Sequence, residues 1–174
     1  EYGIQKVNTC HFGIDYCKDY DMKFFWPRIF SAYGYGENKD TLIMNCIDRM
    51  KKNMPVEITK CTQLWDYLYI RDVAEALYLL GEQASNGGIY NVASGDVRPL
   101  REYIIELKEI MGSSSELLFG AVPYSTIGPM NIWADITKIR EEVGWMPRYS
   151  FEEGVRALIE RLNNEKDKHI NTNI

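Results

Sequence analysis

The chain has 174 residues, 45% of them hydrophobic and 13% aromatic, and a net charge of -5. That length suits one domain or a piece of a larger one, with enough apolar material to bury a core. The acidic balance argues against a general nucleic-acid binder, which carries a basic face, and no apolar run reaches membrane-spanning length.

Residues 2–20 are predicted to form a helix, with Val7, Cys10, Ile14 and Cys17 near a 3.6-residue period. Its start carries Tyr2 and Lys6, a Tyr-x-x-x-Lys spacing that places phenol and ammonium on one helical face. A lysine charge held there favours phenolate and lowers a tyrosine pKa from about 10. A tyrosine tuned in this way serves as a general acid or base. The spacing alone is weak: Tyr35 and Lys39 repeat it in a glycine-containing stretch that reads as a loop. The bland reading of the first copy is a tyrosine anchoring a helix N-terminus beside a solvated lysine.

The run Lys23–Phe30 is a strand candidate broken by Pro27, and Thr41–Lys52 carries a helical stripe of Leu42, Ile43, Cys46, Ile47 and Met50. Pro55–Ile58 and Tyr67–Ile70 read as short strands. Asp72 is expected to cap the next helix, with Glu75 completing a capping box, and that helix runs to about Glu82. Asn86-Gly87-Gly88 is a turn and Ile89–Val92 a strand. Pro99 fits the first turn of a helix reaching about Met111, ended by Gly112 and three serines. Leu117–Phe119 is a strand, and residues 120–134 look irregular. Thr137–Val143 is a short helix. Ser150 and Glu153 form a second capping box, opening a helix to about Asn163. The polar stretch 164–174 is expected to fray.

Alternating strands and helices argue an α/β fold. A glycine-rich phosphate loop between a strand and a helix, the usual cradle of a dinucleotide pyrophosphate, does not occur here. Gly34-Tyr35-Gly36 and Gly87-Gly88 read as turns. Cys10, Cys17, Cys46 and Cys61 form no C-x-x-C pair or zinc-like spacing, so buried thiols in a reducing, cytoplasmic setting are expected. His11 and His169 are isolated and suggest no metal.

Five blocks occur in an informative order: Tyr2 with Lys6; Pro27-Arg28-Ile29-Phe30-Ser31-Ala32-Tyr33-Gly34; Trp65-Asp66-Tyr67-Leu68-Tyr69-Ile70-Arg71-Asp72-Val73-Ala74; Ile89-Tyr90-Asn91-Val92-Ala93-Ser94-Gly95; and Asp135-Ile136-Thr137-Lys138 followed by Gly144-Trp145-Met146-Pro147. Together they resemble the C-terminal half of the extended short-chain dehydrogenase/reductases, the nucleotide-sugar epimerases and dehydratases, from Tyr2 to about Leu162. The resemblance implies the C-terminal part of a Rossmann-type α/β enzyme. Residues 1–32 would close the Rossmann domain. Residues 33–163 would form mainly the smaller substrate-binding domain, with segments returning to the Rossmann sheet, and 164–174 a polar tail.

The resemblance also implies roles. Tyr2 would exchange a proton with a sugar hydroxyl, and Lys6 would hold the nicotinamide ribose of NAD or NADP. Pro27 and Ile29 would border the nicotinamide. Ser31, Thr41, Leu42, Ile58 and Trp65 would contact a nucleotide-diphosphate sugar. A homodimer through helix 2–20 is expected, without nucleic acid, membrane or metal. Three departures leave the nucleotide open: Ser31 stands where many members have Asn, Trp65 where Arg is frequent, and Pro123–Thr126 lacks an arginine. Trp65 could stack on a base or sugar, or belong to the core.

The parent is thus expected to be an NAD(P)-dependent epimerase, dehydratase or reductase. The isolated chain, lacking the cofactor loop and a third catalytic residue, is expected to be inactive and to bind no cofactor. Two other readings stand beside it: a non-catalytic binding module for sugar nucleotides or other small molecules, and an interaction domain docking through helix 2–20. A coding region upstream of Glu1 with a glycine-rich strand–loop–helix would separate them.

Overall fold

The computed structural model describes residues 1–85, 87–126 and 130–171. Its elements are α1 (Tyr2–Asp19), β1 (Phe25–Ile29), β2 (Ala32–Tyr33), α2 (Leu42–Lys51), β3 (Val56–Ile58), β4 (Leu64–Trp65), β5 (Leu68–Tyr69), α3 (Ile70–Gln83), β6 (Gly88–Val92), β7 (Arg98–Pro99), α4 (Leu100–Met111), β8 (Leu117–Phe119), α5 (Thr137–Val143) and α6 (Phe151–Asn171). β1 pairs with β6, β2 with β5 and β3 with β8, all parallel, whereas β4 and β7 are antiparallel. The mixture is the α/β class expected.

Pro27 does not break its strand. The Phe30 N–H donates to the Val92 carbonyl at 3.0 Å, and main-chain direction alternates along a strand, so residues 26 and 28 also turn toward β6. Pro27 and Ile29 turn the other way, where a missing N–H forfeits no bond to β6. That outer edge of β1 has no strand partner among the described residues.

Two cores form. The first joins Tyr33 to α2 (Ile43, Cys46, Ile47, Met50), β3, α4 and the start of α6 (Phe151, Val155, Leu158). The second joins Leu68, α3 (Val73, Ala76, Leu80), β6 and α5 around Trp145. Tyr33 stitches the first together: its hydroxyl donates to the Phe151 carbonyl at 3.1 Å. Burial pushes the Cys46 thiol up to about 12, an inert core group as anticipated. α1 sits apart from both cores. Its inner face is Cys10, Gly13 and Cys17 rather than Val7 and Ile14, because Gly13 lies against the Phe24 ring with no room for a Cβ.

The helix ends show where local rules hold. Ser150 and Glu153 form the expected capping box: the Ser150 N–H donates to Glu153 Oε2 at 2.8 Å and the Glu153 N–H to Ser150 Oγ at 3.2 Å. Gly112 and Gly144, with φ of 57° and 67°, end α4 and α5 in the left-handed region that glycine adopts at no steric cost. α6 does not end near Asn163 but continues to Asn171, so most of the stretch expected to fray is helical. Asn86 of the predicted turn, 127–129 of the irregular stretch and 172–174 of the tail lie outside the described residues. Among the described residues no helix is long and apolar enough to cross a membrane.

Asp72 is not a cap. α3 begins two residues earlier, with Tyr69 at the N-cap position. The buried Asp72 carboxylate instead accepts the N–H groups of Arg148 and Tyr149 at 3.0 and 3.2 Å, tying α3 to the turn before α6. Tertiary donors outcompeted the local ones because a buried carboxylate must find partners wherever the fold offers them. Burial holds the Asp72 carboxyl above its ordinary value, against the pull of those two N–H groups. The folded chain therefore binds that proton more tightly than the unfolded chain. This contribution to stability is full below the unfolded value of about 3.9 and is lost as pH rises through the raised folded value. Asp72→Asn replaces one acceptor oxygen with an N–H donor facing another N–H. Urea denaturation should show a loss of about 1–3 kcal/mol, with the gap to the wild type widest at acid pH. An unchanged midpoint at every pH would show that the latch contributes nothing.

Candidate active site

Tyr2 and Lys6 meet as the i,i+4 spacing requires, the ammonium lying 4.9 Å from the centroid of the phenol ring. Tyr2 is 74% exposed, and its hydroxyl has no hydrogen-bond partner among the described residues. The pair is therefore exposed, on the same helical stripe as Cys10, Gly13 and Cys17, with the phenol available to a group docked against this face. The second Tyr-x-x-x-Lys pair, Tyr35 and Lys39, lies in turns outside any helix, and the Tyr35 ring is covered by Arg161 at 5.0 Å.

Pro27 and Ile29 stand on the open edge of β1, and Ile29 is 47% exposed. Ser31 follows at φ 26°, a left-handed turn between β1 and β2, and its carbonyl accepts the Leu68 N–H at 3.3 Å. Thr41 opens α2, its hydroxyl donating to the Asn38 carbonyl at 2.8 Å. Leu42 is half-buried against the first core. Ile58 is only 5% exposed; its side chain belongs to the core, and its carbonyl accepts the N–H groups of Gly120 and Val122 at 2.9 and 3.2 Å. Its carbonyl is thus already occupied by β8 and the turn that follows it.

Trp65 lies in β4 opposite Arg98 of β7. Its ring packs against the first core, 6.4 Å from that of Tyr67, and its carbonyl accepts the Tyr103 hydroxyl at 3.4 Å. The indole N–H is enclosed without a hydrogen-bond partner. These contacts are those of the packing alternative. Arg98 beside it is internally neutralised: its Nη2 lies 2.6 Å from Glu106 and its Nε 3.2 Å from Asp96, and the guanidinium covers the Tyr103 ring at 4.0 Å.

Asp66 carries no chemical motif in the sequence, yet the fold gives it a part. Fully buried, it accepts the N–H groups of Ser94 and Gly95 at 2.7 and 3.0 Å, fixing the loop after β6. The available signal was an acid set between two aromatic residues in a buried segment, which must be satisfied somewhere. The Asp135–Lys138 block is likewise structural. Asp135 Oδ1 accepts the Thr137 N–H at 2.8 Å, and Asn91 Nδ2 donates to the Asp135 carbonyl at 3.1 Å. Lys138 Nζ donates to the Ile89 carbonyl at 3.2 Å and sits 4.0 Å from the Tyr90 ring centroid. The block clamps α5 onto β6.

The structure thus gathers Tyr2 and Lys6 on one helix and Pro27 and Ile29 on one strand edge, and spreads the other candidates over the β1–β2 turn, the start of α2, β3 and β4. The NAD dependent epimerase/dehydratase family model matches residues 1–93. CDP-abequose synthase of Salmonella typhimurium is 28% identical over 167 residues, covering 92% of this chain and 56% of that protein. The dTDP-4-dehydro-6-deoxyglucose reductase of Escherichia coli is 26% identical over 165 residues, covering 92% and 52%. Among solved structures, the UDP-glucose 4-epimerase of Thermotoga maritima, determined with UDP-glucose, superimposes with a TM-score of 0.83 at 28% identity, over 94% of this chain and 53% of that one. The chain spans about half the length of the relatives it matches. Its fold is the Rossmann-type α/β fold of the extended short-chain dehydrogenase/reductases, and the chain belongs to the NAD dependent epimerase/dehydratase family.

Proposed function

We propose that the protein carrying these residues is an NAD(P)-dependent epimerase, dehydratase or reductase that moves a hydride at a carbon of a nucleotide-diphosphate sugar. The observation that supports this reading is the exposed Tyr2–Lys6 pair on α1. Tyr2 takes the proton of a sugar hydroxyl as the carbon beneath it is oxidised, and returns it in the reverse step. Lys6 keeps positive charge against the phenol and donates to a ribose hydroxyl. Pro27 and Ile29 offer outward-turned main chain where a nicotinamide edge can lie. NAD or NADP, when bound, accepts and returns the hydride. Ser31, Thr41, Leu42, Ile58 and Trp65 border the sugar nucleotide. In this reading residues 1–32 belong with the cofactor domain and 33–163 mainly with the substrate domain.

Tyr2→Phe removes the acid–base hydroxyl and leaves the ring under Lys6. In the full-length enzyme turnover should fall by roughly 10²–10⁴-fold with folding retained; a Phe variant of unchanged turnover would sink the assignment. Residues 1–174 carry no glycine-rich phosphate loop, so calorimetry of this chain should detect no NAD binding in the micromolar range. Micromolar binding would contradict the proposed division of labour.

Helix α1 is also proposed as a homodimer face. Away from the Cys10–Gly13–Cys17 side it exposes Ile4, Val7 and an aromatic ladder, with Phe12 to Tyr16 centroids 6.0 Å apart and Tyr16 to Tyr20 4.7 Å. An apolar face of this kind favours self-association. Light scattering over a concentration series should show dimers at high micromolar concentration, weakened by Phe12→Ser with Tyr16→Ser; a strict monomer throughout would remove the dimer from the reading.

A further inference from the structure

Glu37 sits in the loop 34–41, between β2 and α2, and its Oε2 is enclosed without a hydrogen-bond partner. Other acids drawn into this fold are matched. Asp66 and Asp72 each accept two main-chain N–H groups, and Glu106 lies 2.6 Å from Arg98. An inward carboxyl left half-satisfied calls for an explanation.

The loop is held together by short-range bonds. The Glu37 N–H donates to the Gly34 carbonyl at 3.3 Å, and the Asp40 N–H to Asn38 Oδ1 at 3.0 Å. The Thr41 N–H and hydroxyl donate to the Asn38 carbonyl at 3.1 and 2.8 Å. The Thr41 carbonyl then accepts the Asn45 N–H at 2.9 Å, which opens α2. None of these bonds leaves this stretch of chain. Its contacts with the body are Gly34, which lies against Ile70 with no room for a Cβ, Tyr35 under Arg161 of α6, and the inward Glu37 side chain.

Enclosure costs a charged carboxylate far more than a neutral acid. Burial holds Glu37 above its ordinary value of 4.5, against bonds from the Thr41 side chain and the Gly34 main chain. Among the described residues no charged side chain acts on it; Lys39 and Asp40 of the same loop are exposed. The titratable groups on its inner side are Tyr67, between β4 and β5, whose phenol feels Glu37 together with Cys46 of α2 and Cys61. Burial pushes Cys46 up to about 12 and raises Cys61 and Tyr67 as well. All three stay protonated at neutral pH, so Glu37 is the member of this set that changes charge between about pH 4 and pH 8.

We propose that Glu37 is a pH-sensitive latch, holding the loop 34–41 closed as a neutral acid and loosening it, with the start of α2, as a carboxylate. The closed loop binds the Glu37 proton more tightly than the open loop. Its hold is therefore full below the ordinary value of 4.5 and is lost as pH rises through the raised closed-loop value.

Solution NMR of the chain tests it. The Glu37 carboxyl carbon should titrate above 4.5. The amides of Glu37, Thr41 and Asn45 should lose hydrogen-exchange protection, corrected for the intrinsic rate, by roughly threefold or more between about pH 4 and pH 8. They should exchange faster than the centre of β6 throughout, which marks a local opening. Glu37→Gln is neutral at every pH and should keep loop protection constant. Should that variant fail to fold, the carboxyl titration and the exchange profile of the unaltered chain still decide. A Glu37 carboxyl that titrates at or below 4.5, loop protection indifferent to pH, the same pH response in Glu37→Gln, or loop amides as slow as those of β6 overturns the latch.

Discussion

Two buried carboxylates, six residues apart in one segment, set the frame of this molecule. Asp66 takes the N–H groups of Ser94 and Gly95, and Asp72 those of Arg148 and Tyr149. A carboxylate withdrawn from water is tolerated only where donors replace the lost hydration. Each latch therefore closes only when a distant part of the chain has arrived. The segment from Trp65 to Asp72 becomes a hub: the end of β6 is fixed on one side and the approach to α6 on the other. With the Arg148–Ser150 turn in place, the Ser150–Glu153 box starts α6, and Phe151 meets Tyr33 and Tyr103 in the first core.

That frame distributes charge in a way that bears on function. Arg98 is neutralised by Glu106 and Asp96 and stacked on Tyr103, so it holds β7 against α4 and has little left for a ligand. Lys138 is turned inward onto Ile89 and Tyr90. Lys6 instead stays outside such internal pairs, with an aromatic ring beside it. The inward cations hold elements together, and the outward one stays accessible at the surface.

What could be read from the sequence was what short-range physics decides. The Ser150–Glu153 box, the glycine stop after α4, the span of α5 and the stripe of α2 depend on neighbours within a turn or two, and each stands where the pattern put it. Asp72 carried the same local pattern as Ser150, yet its partners lie 76 and 77 residues away; nothing within one turn of the chain announces that. Pro27 looked like a strand breaker because its missing N–H is a local fact, whereas the direction in which that nitrogen turns depends on the pairing of β1 with β6. Three of the four two-residue strands, β2, β4 and β7, are too short to leave a period and exist through their partners. At the candidate site, the meeting of Tyr2 and Lys6 followed from helical spacing alone. The enclosure of Ile58 and the packing of Trp65 needed the sheet.

The central physical claim, that Asp66 and Asp72 are the joints on which the rest is assembled, has a direct readout in amide hydrogen exchange of the chain resolved to single residues. The N–H groups of Ser94, Gly95, Arg148 and Tyr149 lie outside helices and strands and would exchange quickly without the carboxylates. The account predicts that all four exchange as slowly as the amides at the centre of β6, through global unfolding only. Exchange at the rate of exposed loop amides would contradict it.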